Sequence, residues 1–193
     1  YYVARNLGLH GKNIFVSREN SSFEAVLQLA ALDLATGASR EVLLGVVDEC
    51  PPPLAHQRKR MRLGEYAPVA EGSHWFSLRS ASQAKSSASP LEPLASISAP
   101  QTIKGESGVM KWLHSQSLEN TALHFNSNAL LSIECAGLLA ELPRFTVSLG
   151  NYGARSAGVT SRFITHGEYA SLVSINADKI GRFHVMRVDR API

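Results

Sequence analysis

The chain has 193 residues, 45% of them hydrophobic and 18% charged, the balance of a globular α/β domain with a core. Its formal net charge of +3 is mildly basic, and the one dense basic run, Arg58, Lys59, Arg60 and Arg62, has no interleaved aromatic residues. That argues against nucleic acid and leaves a solvated surface or a patch for an acidic partner. No run of about 18 apolar residues offers a membrane span. No charged segment followed by an apolar one opens the chain, so a cytoplasmic protein is expected. Cys50 and Cys135 lack the paired spacing of a disulfide framework or a zinc site and read as reduced, buried thiols.

In chain order, Tyr1 to Leu9 reads as the end of a helix stopped by Gly8 and Gly11. Asn13 to Ser17 is a short β-branched and aromatic run, hence a strand. Ser21 to Thr36 is apolar on nearly every face, which predicts a helix buried almost all round, capped by Ser21 or Ser22 and ended by Gly37. Glu41 to Val47 is a continuous apolar run, the pattern of a strand covered on both faces. Strand, helix and strand in that order predict a parallel βαβ unit. Pro51-Pro52-Pro53 stops regular structure, a polar and basic stretch runs to Gly64, and Trp75 to Leu78 returns to strand. Ser80 to Pro100, rich in Ser, Ala and Pro, reads as a surface linker.

The second half predicts a helix over Gly108 to Ser115 and a strand over Thr121 to Phe125, followed by the polar loop Asn126-Ser127-Asn128. A helix over Leu130 to Leu142, closed by Pro143, comes next. Then follow a strand over Phe145 to Leu149 and a small-residue helix over Tyr152 to Ile164. Tyr169 to Asn176 and Arg182 to Val188 predict an antiparallel hairpin that turns near Asp178 to Gly181. The resulting units are residues 1–79, a linker over 80–107, and residues 108–193.

The stretch Phe15-Val16-Ser17-Arg18-Glu19-Asn20-Ser21-Ser22-Phe23-Glu24-Ala25 resembles the strand and nucleophile-bearing helix of the β-ketoacyl synthases of the thiolase superfamily. Leu44-Gly45-Val46-Val47-Asp48-Glu49 is similar to the strand that follows in that family. Ser127 to Leu139 and Ser148 to Gly158 resemble the segments around its two catalytic histidines. The resemblance covers nearly the whole chain and lies in the order and spacing of four weak matches. It implies an α/β, layered αβαβα architecture. The family's first hundred or so residues have no counterpart before Tyr1, so the fold is expected to be incomplete at the N-terminus.

The departures from the pattern carry the functional reading. Asn20 stands where the family has its cysteine, and an amide cannot accept an acyl group from a thioester. His124 matches the first histidine. The second falls among Asn151, Tyr152 and Gly153, where there is no His, and the accompanying Lys is absent. His124 reads either as a structural histidine bonded to a backbone carbonyl or as the remnant of an oxyanion-stabilising site. The degenerate positions are therefore Asn20, His124 and Tyr152, with no catalytic residue assigned. His10, His56, His74, His114, His166 and His184 lack partners at metal spacing, so neither metal nor cofactor is expected. Gly150-Asn151-Tyr152-Gly153 lacks the Lys of a phosphate loop. Ser21-Ser22 lacks a nucleophile elbow.

The resemblance implies a chain-length-factor type of subunit, close to the short ketosynthase-like proteins of bacterial aryl polyene clusters. Such a subunit forms a heterodimer with an active β-ketoacyl synthase in type II polyketide or fatty-acid-like synthesis, and acyl carrier protein reaches it through that partner. Thiolase-type folds pair through the strand before the nucleophile helix, which here is Asn13 to Ser17. Asn13, Phe15, Ser17, Arg18, Glu19 and Phe23 are the residues expected at the interface and the acyl tunnel, with Phe23 as a candidate steric stop. Two other readings remain open: an enzyme acting on acyl thioesters without a cysteine, and a homodimeric module that binds acyl chains or carrier protein.

Overall fold

The computed structural model describes residues 5–8, 10–61, 63–86, 92–126, 131–147, 155–178 and 180–191. A 3₁₀-helical turn, Glu19–Ser21, runs directly into helix α1, Ser22–Ala35. There follow β1 (Val42–Asp48), α2 (Leu54–Arg60), β2 (Gly72–Leu78), α3 (Ala81–Ser86), β3 (Ala95–Ile97) and β4 (Gln101–Lys104). The second half holds α4 (Glu106–His114), β5 (Thr121–Asn126), α5 (Ile133–Ala140), α6 (Arg155–His166), β6 (Ser171–Ala177) and β7 (Arg182–Arg190).

Two sheets form among the described residues. β1 and β2 make a two-stranded antiparallel sheet, from Val42 opposite Leu78 to Asp48 opposite Gly72. The larger sheet has five strands. β5 pairs parallel with β6, β6 antiparallel with β7, and β3 and β4 share the far edge of β7. The β6–β7 hairpin is the one the alternation predicts. Its turn closes on Gly181 at φ +75, a conformation that strains any residue with a Cβ.

Helices α1 and α6 lie between the sheets. Phe23, Leu27 and Ala30 of α1 pack with Leu44 and Val46 of β1, Ala157 of α6 and Met186 of β7. The inner face of the large sheet meets α6 through Ala122, Leu172 and Val188 against Val159 and Phe163. The outer face, Leu123, Val173, Ile175 and Val185, is covered by Val109 and Leu113 of α4 and Cys135 and Leu139 of α5. The layers therefore run from the small sheet through the central helices and the large sheet to the outer helices. Among the described residues the outer face of the small sheet is bare, with Leu43, Val47 and Trp75 exposed. No helix among them is long and apolar enough to cross a membrane.

Several sequence expectations need correction. Asn13 to Ser17 forms no strand within the described chain; residues 12–18 carry no regular structure and pair with no described strand. A strand needs a neighbour for its amides and carbonyls, and none is supplied here. The parallel βαβ unit is therefore absent, and β1 pairs antiparallel with β2. β1 also alternates in burial, with Leu44 and Val46 in and Leu43 and Val47 out, because no described residue covers its second face. Helix α1 is not buried all round: Leu29 and Leu32 are exposed.

Residues after the prolines form the short helix α2 rather than an irregular stretch. Within the expected linker, α3 forms, and Ala95–Ile97 joins the large sheet against β7. Phe145 to Val147 is not a strand. Only Arg144 bridges to Leu123, flanked by bonds from Leu123 N to Pro143 O (2.8 Å) and from Phe145 N to Leu123 O (2.9 Å). The expected loop at Ser127 and Asn128, and the segment Ser148 to Ala154, lie outside the described residues.

Candidate functional site

The large sheet is apolar at one end of its inner face and polar at the other. Along β5 the inward side chains go from Ala122 to His124 to Asn126, and along β6 from Leu172 to Ser174 to Asn176. The register aligns Asn126, Asn176, His184 and Thr102 in one row across four strands. The row is hydrogen-bonded through Asn126 Nδ2 to Asn176 Oδ1 (3.4 Å) and through Thr102 Oγ1 and His184 Nδ1 (3.1 Å). Helix α1 lies over this row. Gln28 donates to Pro100 O at 2.8 Å and reaches Thr102 Oγ1 at 3.4 Å.

The first turn of α1 is fixed in the same place. Asn176 Nδ2 donates to the carbonyl oxygen of Asn20 at 2.5 Å and to Glu24 Oε1 at 3.2 Å. Glu24 is fully buried. Burial raises its carboxyl to about 7, partly offset by its own backbone N–H, the Ser156 hydroxyl and the Asn176 amide. Its second oxygen and the hydroxyl of nearby Ser156 both lack bonded geometry to any described residue.

Ser21, the N-cap residue, makes no side-chain cap bond to the helix. Ser21 Oγ donates to Arg18 O (3.1 Å), and Ser22 Oγ accepts from Arg18 N (2.7 Å).

His124 is buried on β5, two register positions from the Asn126–Asn176 pair and opposite Ser174. Burial lowers its pKa to about 4, and the cations of Arg155 and Arg144 push in the same direction. The ring is therefore neutral at physiological pH and can offer one N–H, not an imidazolium. Its Nε2 is buried without a hydrogen-bond partner among the described residues, as is Ser174 Oγ. The fold thus brings Asn20 and His124 toward one end of the central layer, where Asn176 bonds the Asn20 carbonyl and His124 lies on the same face of the sheet.

Asn20 itself is exposed and lies in the turn, not within a dry pocket. Tyr152 lies outside the described residues. Of the interface set, Asn13, Ser17 and Arg18 are exposed, and Glu19 sits in the turn. Phe15 is 93% exposed and Ile14 46%. Lys12 Nζ reaches Asp33 Oδ1 at 3.4 Å, so this segment starts beside the end of α1 and finishes at its beginning. Phe23 points inward and stacks on Phe76, with ring centroids 5.4 Å apart.

The cysteines offer no substitute nucleophile. Both are buried. Cys135 does lie in the first turn of α5, contrary to its sequence placement well inside a helix, and its backbone N–H donates to Ser132 Oγ at 3.3 Å. Burial, with the carboxylates of Glu106 and Glu134, nevertheless pushes its thiol up, away from the thiolate.

Sequence reasoning misses Glu24, Asn126, Ser156, Ser174 and Asn176 as members of this site. The signals open to it are a carboxylate in the first turn of a largely apolar helix and polar residues in phase on two otherwise apolar strands.

No protein-family model and no curated protein matches the chain. Solved structures do. One is a chain of the AntDE:AntF assembly, a type II PKS acyl-carrier protein in complex with its ketosynthase bound to the hexaketide. It matches with a TM-score of 0.70 at 11% identity, over 98% of this chain and 63% of that one. The ishigamide ketosynthase/chain length factor matches with a TM-score of 0.70 at 15% identity, over 99% of this chain and 60% of that one. The chain therefore has the thiolase-like α/β fold of ketosynthase and chain length factor chains, and spans about three fifths of their length.

Proposed function

We propose that the chain is a non-catalytic, chain-length-factor-like subunit that pairs with an active β-ketoacyl synthase in type II polyketide or fatty-acid-like synthesis, the aryl polyene type being the nearest reading. The observation that carries this is the turn at the head of α1. In the family that the sequence resembles, the head of this helix holds the nucleophilic cysteine, and here an exposed Asn20 stands in the 3₁₀ turn at that place. The subunit needs no cofactor in this role, works in the cytoplasm, and meets acyl carrier protein through its partner. Incubation with acyl carrier protein thioesters is expected to leave the intact mass of the chain unchanged. A covalent acyl adduct on any residue would overturn the assignment.

The partner surface follows from the segment ahead of the turn. Residues 13–17 pair with no described strand of their own chain, and Phe15 is almost wholly solvent-exposed. Exposed Leu29 and Leu32 extend the apolar surface along α1. Antiparallel pairing of residues 13–17 across a pseudo-twofold axis would satisfy the backbone and cover these side chains, within an obligate interface of roughly 2,000 Å² or more. Phe15→Lys places a charge in that interface, at a desolvation cost of several kcal/mol. Loss of co-purification with the co-expressed ketosynthase is expected, and unchanged co-purification would sink the interface.

A second reading, an enzyme acting on acyl thioesters without a cysteine, is favoured by the buried unpartnered atoms of Glu24 and His124. Turnover of malonyl or acyl carrier protein by the isolated chain would select it.

A further inference from the structure

Glu24 occupies an unusual position for a carboxylate. It lies three residues after Ser21, the N-cap position of α1, so the spacing Ser-x-x-Glu is that of a reciprocal capping pair at a helix N-terminus. There a carboxylate would sit in water beside the positive end of the helix dipole. Instead the side chain turns inward, is fully buried, and gives Oε1 to Asn176. Ser21 makes no cap bond. A helix start that forgoes its cap and buries an acid must gain something from the inward geometry.

The gain is visible at Asn176. Its two amide hydrogens go to Asn20 O and Glu24 Oε1, and its Oδ1 accepts from Asn126. One buried side chain thus ties the 3₁₀ turn, the first turn of α1 and strands β5 and β6 together. By contrast, the bonds of Ser21 and Ser22 with Arg18 are local and fix only the shape of the turn. They do not fix its position on the sheet.

We propose that Asn176, with Glu24 as its second acceptor, is a positioning residue that anchors the Glu19–Ser21 turn to the large sheet and so sets where residues 13–17 leave the body for their partner strand. This rests on the interface reading above. The acceptor role of Glu24 ties the anchor to its protonation. Ionisation above about 7 places a desolvated charge in the anchor, so the turn loosens as pH rises. The titratable and charged groups on the elements around it include His124 on β5, His184 and Arg182 on β7 with Asp178 in the turn before them, Arg155 on α6 and Arg18 before the 3₁₀ turn. Burial lowers His124 to about 4, below the range where Glu24 titrates, and burial pushes His184 downward as well.

The test is amide hydrogen exchange of the full chain, corrected for base catalysis, at pH 6 and pH 8, on the wild type, Asn176→Leu and Glu24→Gln. In Asn176→Leu, exchange at residues 18–23 should rise at least tenfold more than at β6 and β7. An equal rise throughout would mean a merely structural role and overturn the proposal. In the wild type, residues 18–23 should open further from pH 6 to pH 8. In Glu24→Gln, which keeps the acceptor and cannot ionise, they should not. If Asn176→Leu does not fold, this pair of profiles decides alone, and identical profiles refute the anchor. Co-purification with the ketosynthase separates the two ideas. Pairing lost in Phe15→Lys but intact in Asn176→Leu sinks the anchor and keeps the interface. If Phe15→Lys still pairs, the interface falls and the exchange data still judge the anchor.

Discussion

Phe23→Ala is expected to lower the stability of the chain by about 3–5 kcal/mol, the cost of removing a buried ring whose surroundings collapse only in part. The ring is 2% exposed. It stacks on Phe76 at 5.4 Å and belongs to the cluster that joins α1, β1, α6 and β7. Its removal therefore loosens the contact between both sheets and the central helices. Chemical denaturation of the two proteins measures the difference. Phe23 is also the candidate steric stop for an acyl tunnel, and the two roles separate in product length. Stacking on a ring of its own chain favours packing, so a folded, paired mutant should make products of unchanged length in reduced amount. A shift to longer products would restore the stop. A loss below about 1 kcal/mol would show that the ring packs less tightly than its burial indicates.

What the sequence makes legible is decided by local pattern. The β6–β7 hairpin alternates cleanly on either side of a turn rich in aspartate and glycine, and it forms. Helices α1 and α4 and strand β5 are long or apolar enough to specify themselves. The failures lie where an element depends on what covers it. Glu41 to Val47 reads as doubly buried because every residue but Gly45 after Glu41 is apolar, yet only its inner face is covered by described residues. Asn13 to Ser17 has strand composition and no described strand to pair with. Composition sets the preference for a strand, whereas formation needs a second set of backbone groups. The same unpaired segment that breaks the expected βαβ unit is the basis of the proposed partner surface.

The candidate site is named in the sequence at Asn20 and His124, as an asparagine in place of a thiol and a histidine set against the resembled pattern. It is not legible at Glu24 and Asn176. Each is a polar residue in a largely apolar run, and only the registry of β6 with β5, and of both with α1, shows that they meet. Long-range registry leaves little trace in a single sequence. Capping chemistry even misleads here, since Ser21 and Glu24 have the spacing of partners and are used for different bonds.

The largest pH effect is expected from Glu24→Gln. A carboxyl raised from 4.5 to about 7 favours the folded state least when it must ionise. Below pH 4.5 the group is protonated folded and unfolded, and contributes nothing. As pH rises from 4.5 to 7 the unfolded chain ionises freely while the folded chain resists, so stability falls. Above about 7 the loss levels off at about 3 kcal/mol, because each tenfold change in proton affinity on folding is worth about 1.4 kcal/mol.

His124 acts in the opposite sense. Its pKa falls from 6.5 to about 4, so it costs stability below pH 4, and the cost disappears as pH rises to 6.5. The two windows nearly coincide and the two slopes oppose each other, so these groups largely cancel in the wild type. Glu24→Gln removes one side of the balance while preserving an oxygen for Asn176. The mutant should match the wild type at pH 4 and exceed it by about 3 kcal/mol at pH 8. Its stability should climb between pH 4 and 6.5 more steeply than that of the wild type. Urea unfolding at closely spaced pH values measures both curves. Parallel curves would mean that the carboxyl is hydrated in solution, which would remove the cost of ionising it within the anchor.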